Sequence, residues 1–361
     1  MIQVLLSQLG RLSLQREKEK MGQFSILSIL ENIFNLSKEG VRIAGLKSEL
    51  MPWLVRNSII NSQNTFNELR LYASELLAII LGEEECQEKF VELGLIEILL
   101  QFLGSLNQHT NFFEDEKETI ENLFDVLILS LNVGKGQNIF IENEGIELML
   151  KLVKKKDFYS LGGFRVIERS VEGNSLGSRY FVDNMGLKYL FPIFMRKALK
   201  TRDPEQSKSI TKTCVGMILN LLIYNDEQYR QRVIMKLKEK NYEKLQWSFE
   251  IRGEIMKDIQ KVLDNKEKTR VAFDINDEKD LDQVVYVEKV EAGYVSLLQI
   301  DYAILFSCSK DAEIKAMVLK ICEHFEIDLQ NLFKNAQELI ESSPNQDYGS
   351  LINLEKLRDL F

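Results

Sequence analysis

The stretch IFIENEGIELMLKLV, residues 139–153, holds an apolar run that ends in acids at Gly145, and a second apolar run begins directly after it. The same pattern stands at 89–103, KFVELGLIEILLQFL, and at 180–194, YFVDNMGLKYLFPIF. Each copy has an aromatic–aliphatic pair, a short polar step, a glycine and then an apolar helix. The glycines are Gly94, Gly145 and Gly186, and RIAGLKSELMPWLV around Gly45 is a weaker fourth copy. Spacings of 51 and 41 residues fit the period of roughly 40–47 residues found in armadillo and HEAT repeats. A glycine permits the backbone turn between a short helix and the next one, where a Cβ would clash. Longer helical patterns precede the glycines, NELRLYASELLAIIL at 67–81 and ETIENLFDVLILSL at 118–131. Each unit is then short helix, turn, helix, helix, and none buries its apolar stripe alone, so neighbours must stack.

The spacing predicts an all-α, armadillo/HEAT-type right-handed superhelix, an α-solenoid, over residues 1–263. A charged linker follows at 264–282, and a C-terminal helical cap at 283–361. Pro192, inside LKYLFPIFM, should bend or restart its helix. The polar 196–209 segment, which contains Pro204, reads as an exposed loop. Two cap segments, VVYVEKVEAGYVSLLQIDYAILFSC and AEIKAMVLKICEHF, have helical periodicity. Glu288, Lys289, Glu291 and Asp301 argue against reading the first as a membrane helix.

Composition agrees with a folded helical chain. It is 45% hydrophobic and 28% charged, with only 4 prolines, which excludes a disordered polymer and makes helix the default. Cys86, Cys214, Cys308 and Cys322 form no C-x-x-C pair and read as reduced, mostly buried thiols. No uncharged apolar stretch reaches about 18 residues, so no membrane span is expected. Charge is unevenly placed: residues 1–150 carry 12 bases and 22 acids, residues 188–270 carry 19 and 11, and residues 271–361 carry 8 and 18. Acidic ends around a basic middle favour selective charged partners over blanket nucleic-acid binding.

YASELLAIIL, ENLFDVLILSL, ENEGIELMLKLV, VDNMGLKYLFPIFM and VEKVEAGYVSLLQ, in that order, resemble the beta-catenin-like armadillo family of the spliceosome. The resemblance runs from about residue 4 to Phe361, and GLKYLFPIFM and ENLFD are its most specific pieces. It implies a nuclear protein associated with the Nineteen complex of pre-mRNA splicing, whose groove accepts basic, localisation-signal-like segments of splicing factors. Family members carry a basic N-terminal extension and extra capping helices, whereas this sequence starts inside the array. The first unit is therefore expected to expose an apolar end that needs a partner or forms a homodimer.

The third helix of each unit lines the concave face of such a superhelix. Aligning SELLAIIL with FDVLILSL sets Glu75 against Asp125. Stepping back by 3 and 7 residues sets Tyr72 against Asn122 and Glu68 against Glu118, all on one helix face. The opposite stripe, Leu69, Leu76, Leu77 and Ile80 in one helix and Leu123, Val126 and Leu127 in the other, supplies the core. Asn122 could bond a peptide backbone while the acids hold Lys or Arg. Aligning GFRVIERSV places Arg165 where Glu75 and Asp125 stand, with Arg169 one turn on. The glycines at 162–163 weaken that helix and its register.

Catalytic chemistry has little to work with. His109 lies in a polar loop, and Cys322, His324 and Glu326 do not share one helix face, so no metal site and no cofactor is expected. NVGKGQ at 132–137 and GNSLGS at 173–178 read as glycine-bearing turns without phosphate-loop spacing. The expected function is a non-enzymatic nuclear adaptor that binds basic peptides in an acidic groove. A nuclear transport adaptor for basic cargo is the nearest alternative. A different class, an RNA-binding solenoid, would use the basic middle: Lys154, Lys155 and Lys156, with Arg230, Arg232, Lys236, Lys238 and Lys240 beside Tyr229 and Tyr242. No RNA-binding signature accompanies those bases.

Overall fold

The computed structural model describes residues 2–12, 16–46, 49–59, 68–106, 112–199, 201, 203–275, 277–343 and 348–359. His109 lies outside them. Every regular element among the described residues is a helix, and the chain divides into two compact units, Met1–Asn184 and Met185–Phe361.

The first unit contains α1 (Ile2–Leu9), α2 (Glu17–Leu36), α3 (Lys38–Leu46), α4 (Leu50–Ser58), α5 (Glu68–Ile80), α6 (Glu84–Glu92), α7 (Leu95–Ser105), α8 (Glu114–Ser130), α9 (Gly134–Glu142), α10 (Gly145–Lys155), α11 (Ser160–Val171) and α12 (Ser175–Asp183). Helices of equivalent position stack on one another. First helices α3, α6, α9 and α12 form one layer, second helices α4, α7 and α10 another, and third helices α5, α8 and α11 a third, with α2 against α5. A single pattern of buried positions explains the third layer. Leu69, Arg70, Ala73, Ser74, Leu76, Leu77 and Ile80 are buried in α5, and the residues 50 positions on, Thr119 to Ser130, are buried in α8. Gly163, Phe164, Val166, Ile167 and Ser170, a further 40 on, are buried in α11.

The turn chemistry differs in detail from the glycine rule. Counting from the buried aromatics Phe90, Phe140 and Phe181, the fourth residue on is left-handed each time: Gly94 (φ 68°), Glu144 (φ 56°) and Met185 (φ 61°). Only the first is glycine. Gly145 is instead the first residue of α10, where a Cβ would stand 2.4 Å from the Phe140 ring and 2.6 Å from its carbonyl oxygen. Its smallness serves close packing. Gly45 likewise lies inside α3, and a Cβ there would meet Cys86 Sγ at 2.5 Å. The expected turns at 132–137 and 173–178 run into α9 and α12. Gly136 and Gly177 lie within those helices, where a Cβ would fall 2.2 Å from Ser130 O and 2.3 Å from Ser170 O.

The second unit contains α13 (Leu187–Phe194), α14 (Pro204–Ile223), α15 (Glu227–Asp264, two helical segments across a kink at Glu239, Lys240, Asn241 and Tyr242), α16 (Lys266–Ala272), α17 (Glu278–Ala292), α18 (Tyr294–Lys310), α19 (Ala312–His324), α20 (Leu329–Ser342), α21 (Tyr348–Leu351) and α22 (Leu354–Arg358). Pro192 sits inside α13, which ends two residues later at Phe194. The expected loop at 196–209 gives way to α14 at Pro204, because proline suits the first helical position and Asp203 caps it by accepting from Glu205 N. The stretch expected as a charged linker, 264–282, contains α16 and the start of α17. Lys266, paired with Glu278 and Asp282, ties the two together. Gly293 (φ 109°) separates α17 from α18. Helix α18 is apolar nearly all round because α14, α15, α17, α19 and α20 cover it. Its one buried acid, Asp301, accepts from Arg252 Nε and Asn335 Nδ2, both at 2.7 Å.

Candidate peptide-binding face

The outward stripe of the third-helix layer carries the residues singled out by sequence. Glu68 and Glu118 are exposed, while Tyr72, Glu75, Asn122 and Asp125 are half-buried in the same row. Arg165 and Arg169 continue that row on α11, exposed and half-buried respectively. The residues thus share one surface. Gly162 explains why α11 tolerates its paired glycines: a Cβ there would enter the Phe124 ring at 2.6 Å, so α8 and α11 approach closely only with glycine.

Several of these side chains have partners within the protein. The Tyr72 hydroxyl donates to Glu31 on α2, and its ring stacks on Phe24 at 6.1 Å between centroids. Burial, followed by that carboxylate, pushes the Tyr72 phenol up to about 12, so it remains a neutral donor. Asn122 Nδ2 donates to Ser74 Oγ at 3.0 Å, which turns it toward α5 and away from the peptide-backbone role expected for it. Arg165 Nη1 lies 2.9 Å from Asp125 Oδ1, and Arg169 Nη1 lies 2.5 Å from Glu172 Oε2. The charge at Asp125 is therefore already matched, and the acidic field concentrates at the α2–α5–α8 end.

Burial raises the Glu75 carboxyl above its ordinary value, and the charges of Glu118 and Glu31 raise it further. Glu121 is raised in the same way, by burial and then by Asp125 and Glu118, with Arg165 opposing. Glu168 on α11 is raised by burial and by Glu172. Carboxyls raised by burial and by neighbouring acids are poised to gain when a cation arrives, because the cation favours their ionised form. Sequence reasoning missed Glu31, Glu121 and Glu168. Glu121 and Glu168 stand one helical turn from Asp125 and Arg165, so the stripe could have been widened to include them. Glu31 belongs to α2, outside the repeat, and no periodicity pointed to it.

In the second unit the basic stretch is largely engaged with acids of the same unit. Arg196 pairs with Glu254 at 2.7 Å, Lys208 with Asp258 at 2.9 Å, Lys238 with Asp311 at 3.0 Å and Lys244 with Glu239 at 3.0 Å. Lys236 also reaches Glu239, and Arg230 reaches Glu227. Of these bases Lys238 is matched by an acid from 271–361 and the others by acids within 188–270. Among the described residues no group of three or more His, Cys, Asp or Glu is placed to hold a metal ion. No helix among them is long and apolar enough to cross a membrane. All four cysteines are buried and unbridged.

Residues 1–337 match the family model described as "Catenin-beta-like, Arm-motif containing nuclear". The chain is 26% identical over 319 residues to "Beta-catenin-like protein 1" of Homo sapiens, covering 85% of this chain and 55% of that protein. It is 28% identical over 255 residues to the "Beta-catenin-like protein 1 homolog" of Schizosaccharomyces pombe, covering 70% of this chain and 44% of that protein. The chain thus spans about half the length of these curated relatives. An engineered protein of known crystal structure is similar in fold, with a TM-score of 0.50 at 17% identity, covering 94% of this chain and 77% of that one.

Proposed function

The chain belongs to the catenin-beta-like, Arm-motif-containing family, and from that membership we propose that it is a non-enzymatic nuclear adaptor that binds basic peptide segments on the α2–α5–α8 face. The observation that carries this reading is the convergence of Glu31, Glu75, Glu118 and Glu121, with Glu75 held above its ordinary range by burial and by Glu118 and Glu31, and Glu121 by burial and by Asp125 and Glu118. A Lys- or Arg-rich segment relieves that repulsion, and an arginine can also form bidentate bonds to a carboxylate. Each half-exposed ion pair contributes about 0–1 kcal/mol, so several acting together give affinity of roughly micromolar order that weakens with salt. The description of the family model as nuclear supports the location. Splicing factors are the partners that the resemblance of the sequence motifs implies, with transport of basic cargo the nearest alternative.

The test is fluorescence anisotropy with a labelled, lysine-rich localisation-signal peptide at two salt concentrations, with single-stranded RNA as competitor. The expected result is salt-sensitive binding that RNA does not displace and that Glu75→Lys/Glu118→Lys removes while the helical circular-dichroism melt is retained. Equal affinity in that folded double variant would overturn the assignment. Displacement by RNA would move the function to the basic middle, Lys154, Lys155 and Lys156 with the bases of 230–240, of which Arg230, Lys236 and Lys238 are paired with acids.

A further inference from the structure

Along the third-helix row, the position held by Glu75 in α5 and Asp125 in α8 is held in α11 by Arg165. The charge inversion reaches back onto the preceding helix, since Arg165 Nη1 stands 2.9 Å from Asp125 Oδ1. Both side chains stay about half exposed, 51% for Arg165 and 44% for Asp125, while Asp125 Oδ1 itself is buried and accepts no hydrogen bond, so the contact is an ion pair alone. Asp125 therefore already holds a guanidinium of the kind a basic peptide would bring. Glu75, at the same position one unit earlier, faces Glu118 and Glu31 and is raised by both. Two acids at equivalent positions of one row thus differ in whether a cation from the protein itself occupies them.

We infer that Arg165 is an intramolecular competitor that limits the length of basic segment recognised on this face. The inference rests on the peptide-binding reading above and adds its specificity. Neighbouring helices lie about 8–10 Å apart, and an extended peptide advances about 3.3 Å per residue, so one unit along the row corresponds to about three peptide residues. The partner class is a segment whose lysines or arginines sit over Glu75 and its acidic neighbours. A further base three residues on, toward Asp125, meets a carboxylate already filled and gains little unless it displaces Arg165.

The experiment compares two labelled peptides, the second carrying one extra lysine three residues beyond the basic run, on the full chain and its Arg165→Gln, Asp125→Asn, Arg165→Gln/Asp125→Asn and Glu75→Lys/Glu118→Lys variants. In the unaltered protein the extra lysine should change affinity by less than about twofold. In Arg165→Gln it should add about two- to fivefold, the worth of one half-exposed ion pair, and that gain should vanish when Asp125→Asn is added. A gain that survives Asp125→Asn would be a general field effect and would overturn the inference. So would a loss of short-peptide binding in Asp125→Asn alone, because Asp125 would then be available in the unaltered protein. If Glu75→Lys/Glu118→Lys abolishes binding while Arg165→Gln has no effect on either peptide, only the inference falls. Unchanged binding in that double variant removes the face and the inference together. A tighter-binding variant cannot arise from misfolding, and a thermal melt of each protein accompanies the titrations.

Discussion

Glu75 carries a cost in the free protein that its proposed ligand would relieve. Its folded-state pKa is raised, so between the ordinary glutamate value and the raised one the folded state binds more protons than the unfolded state. Stability therefore falls as pH rises through that window, and the penalty is fully present at neutral pH. Glu75→Gln is expected to raise the thermal midpoint at neutral pH while weakening peptide binding, an opposition that melts and anisotropy on one preparation would display. A bound cation favours the ionised carboxylate, so peptide affinity should decline as pH is lowered toward the Glu75 range, and Glu75→Gln should flatten that decline. Tyr72→Phe removes the hydroxyl that donates to Glu31 and is expected to cost about 1 kcal/mol by denaturant titration. The face was legible in sequence as far as its repeat: Glu68, Tyr72, Glu75, Glu118 and Asp125 share a row because 3- and 4-residue steps share a helix face. That Asn122 turns to Ser74 and Asp125 to Arg165 was not legible, since both contacts join helices about 40–50 residues apart in sequence.

Elements are set by small residues at close approaches as much as by turns. Gly145→Ala places a Cβ against the Phe140 ring and carbonyl oxygen, and should cost about 1–3 kcal/mol, the usual range for overpacking. Glu144→Gly next to it relieves a non-glycine left-handed residue and is expected to gain about 1 kcal/mol. Opposite shifts of the denaturant midpoint from adjacent glycine exchanges would check both. The repeated motif pointed to the correct place for each turn, but the left-handed residue of the turn is the glycine in only one of the three copies. The cause is an offset: the glycine follows the aromatic by four residues in the first copy and by five in the other two. Gly136 and Gly177, read as turn glycines, are required small because the preceding third helix ends against them with its Ser130 or Ser170 carbonyl.

At the scale of the whole molecule, the two units rest on different devices. The first repeats one burial pattern through layers of equivalent helices, so its stability is a sum over similar neighbour contacts. The second gathers helices around α18, with the buried Arg252–Asp301–Asn335 group joining α15, α18 and α20. Removing one partner of a buried pair strands the other charge, so Arg252→Met should cost about 3–5 kcal/mol. Amide exchange should accelerate in α15, α18 and α20 and leave α5, α8 and α11 protected. Adding Asp301→Leu should recover much of the loss, because an apolar replacement of both charges leaves nothing stranded. Uniform acceleration across both units would show that the buried group supports the entire chain.

The sequence by itself determined the helical class, the three-helix unit, the register of α5, α8 and α11 and the row of charged and polar residues on their outward side, acidic on α5 and α8 and basic on α11. All of these follow from local periodicity, which a chain carries in its spacing of apolar residues. The tertiary structure alone decided which charges remain available. It brought Glu31 from a helix outside the repeat, set Arg165 on Asp125, and matched bases of 188–270 with acids of the same compact unit. Pairing energies fall steeply with distance, and distances between helices are fixed by packing, which residue spacing along the chain does not encode.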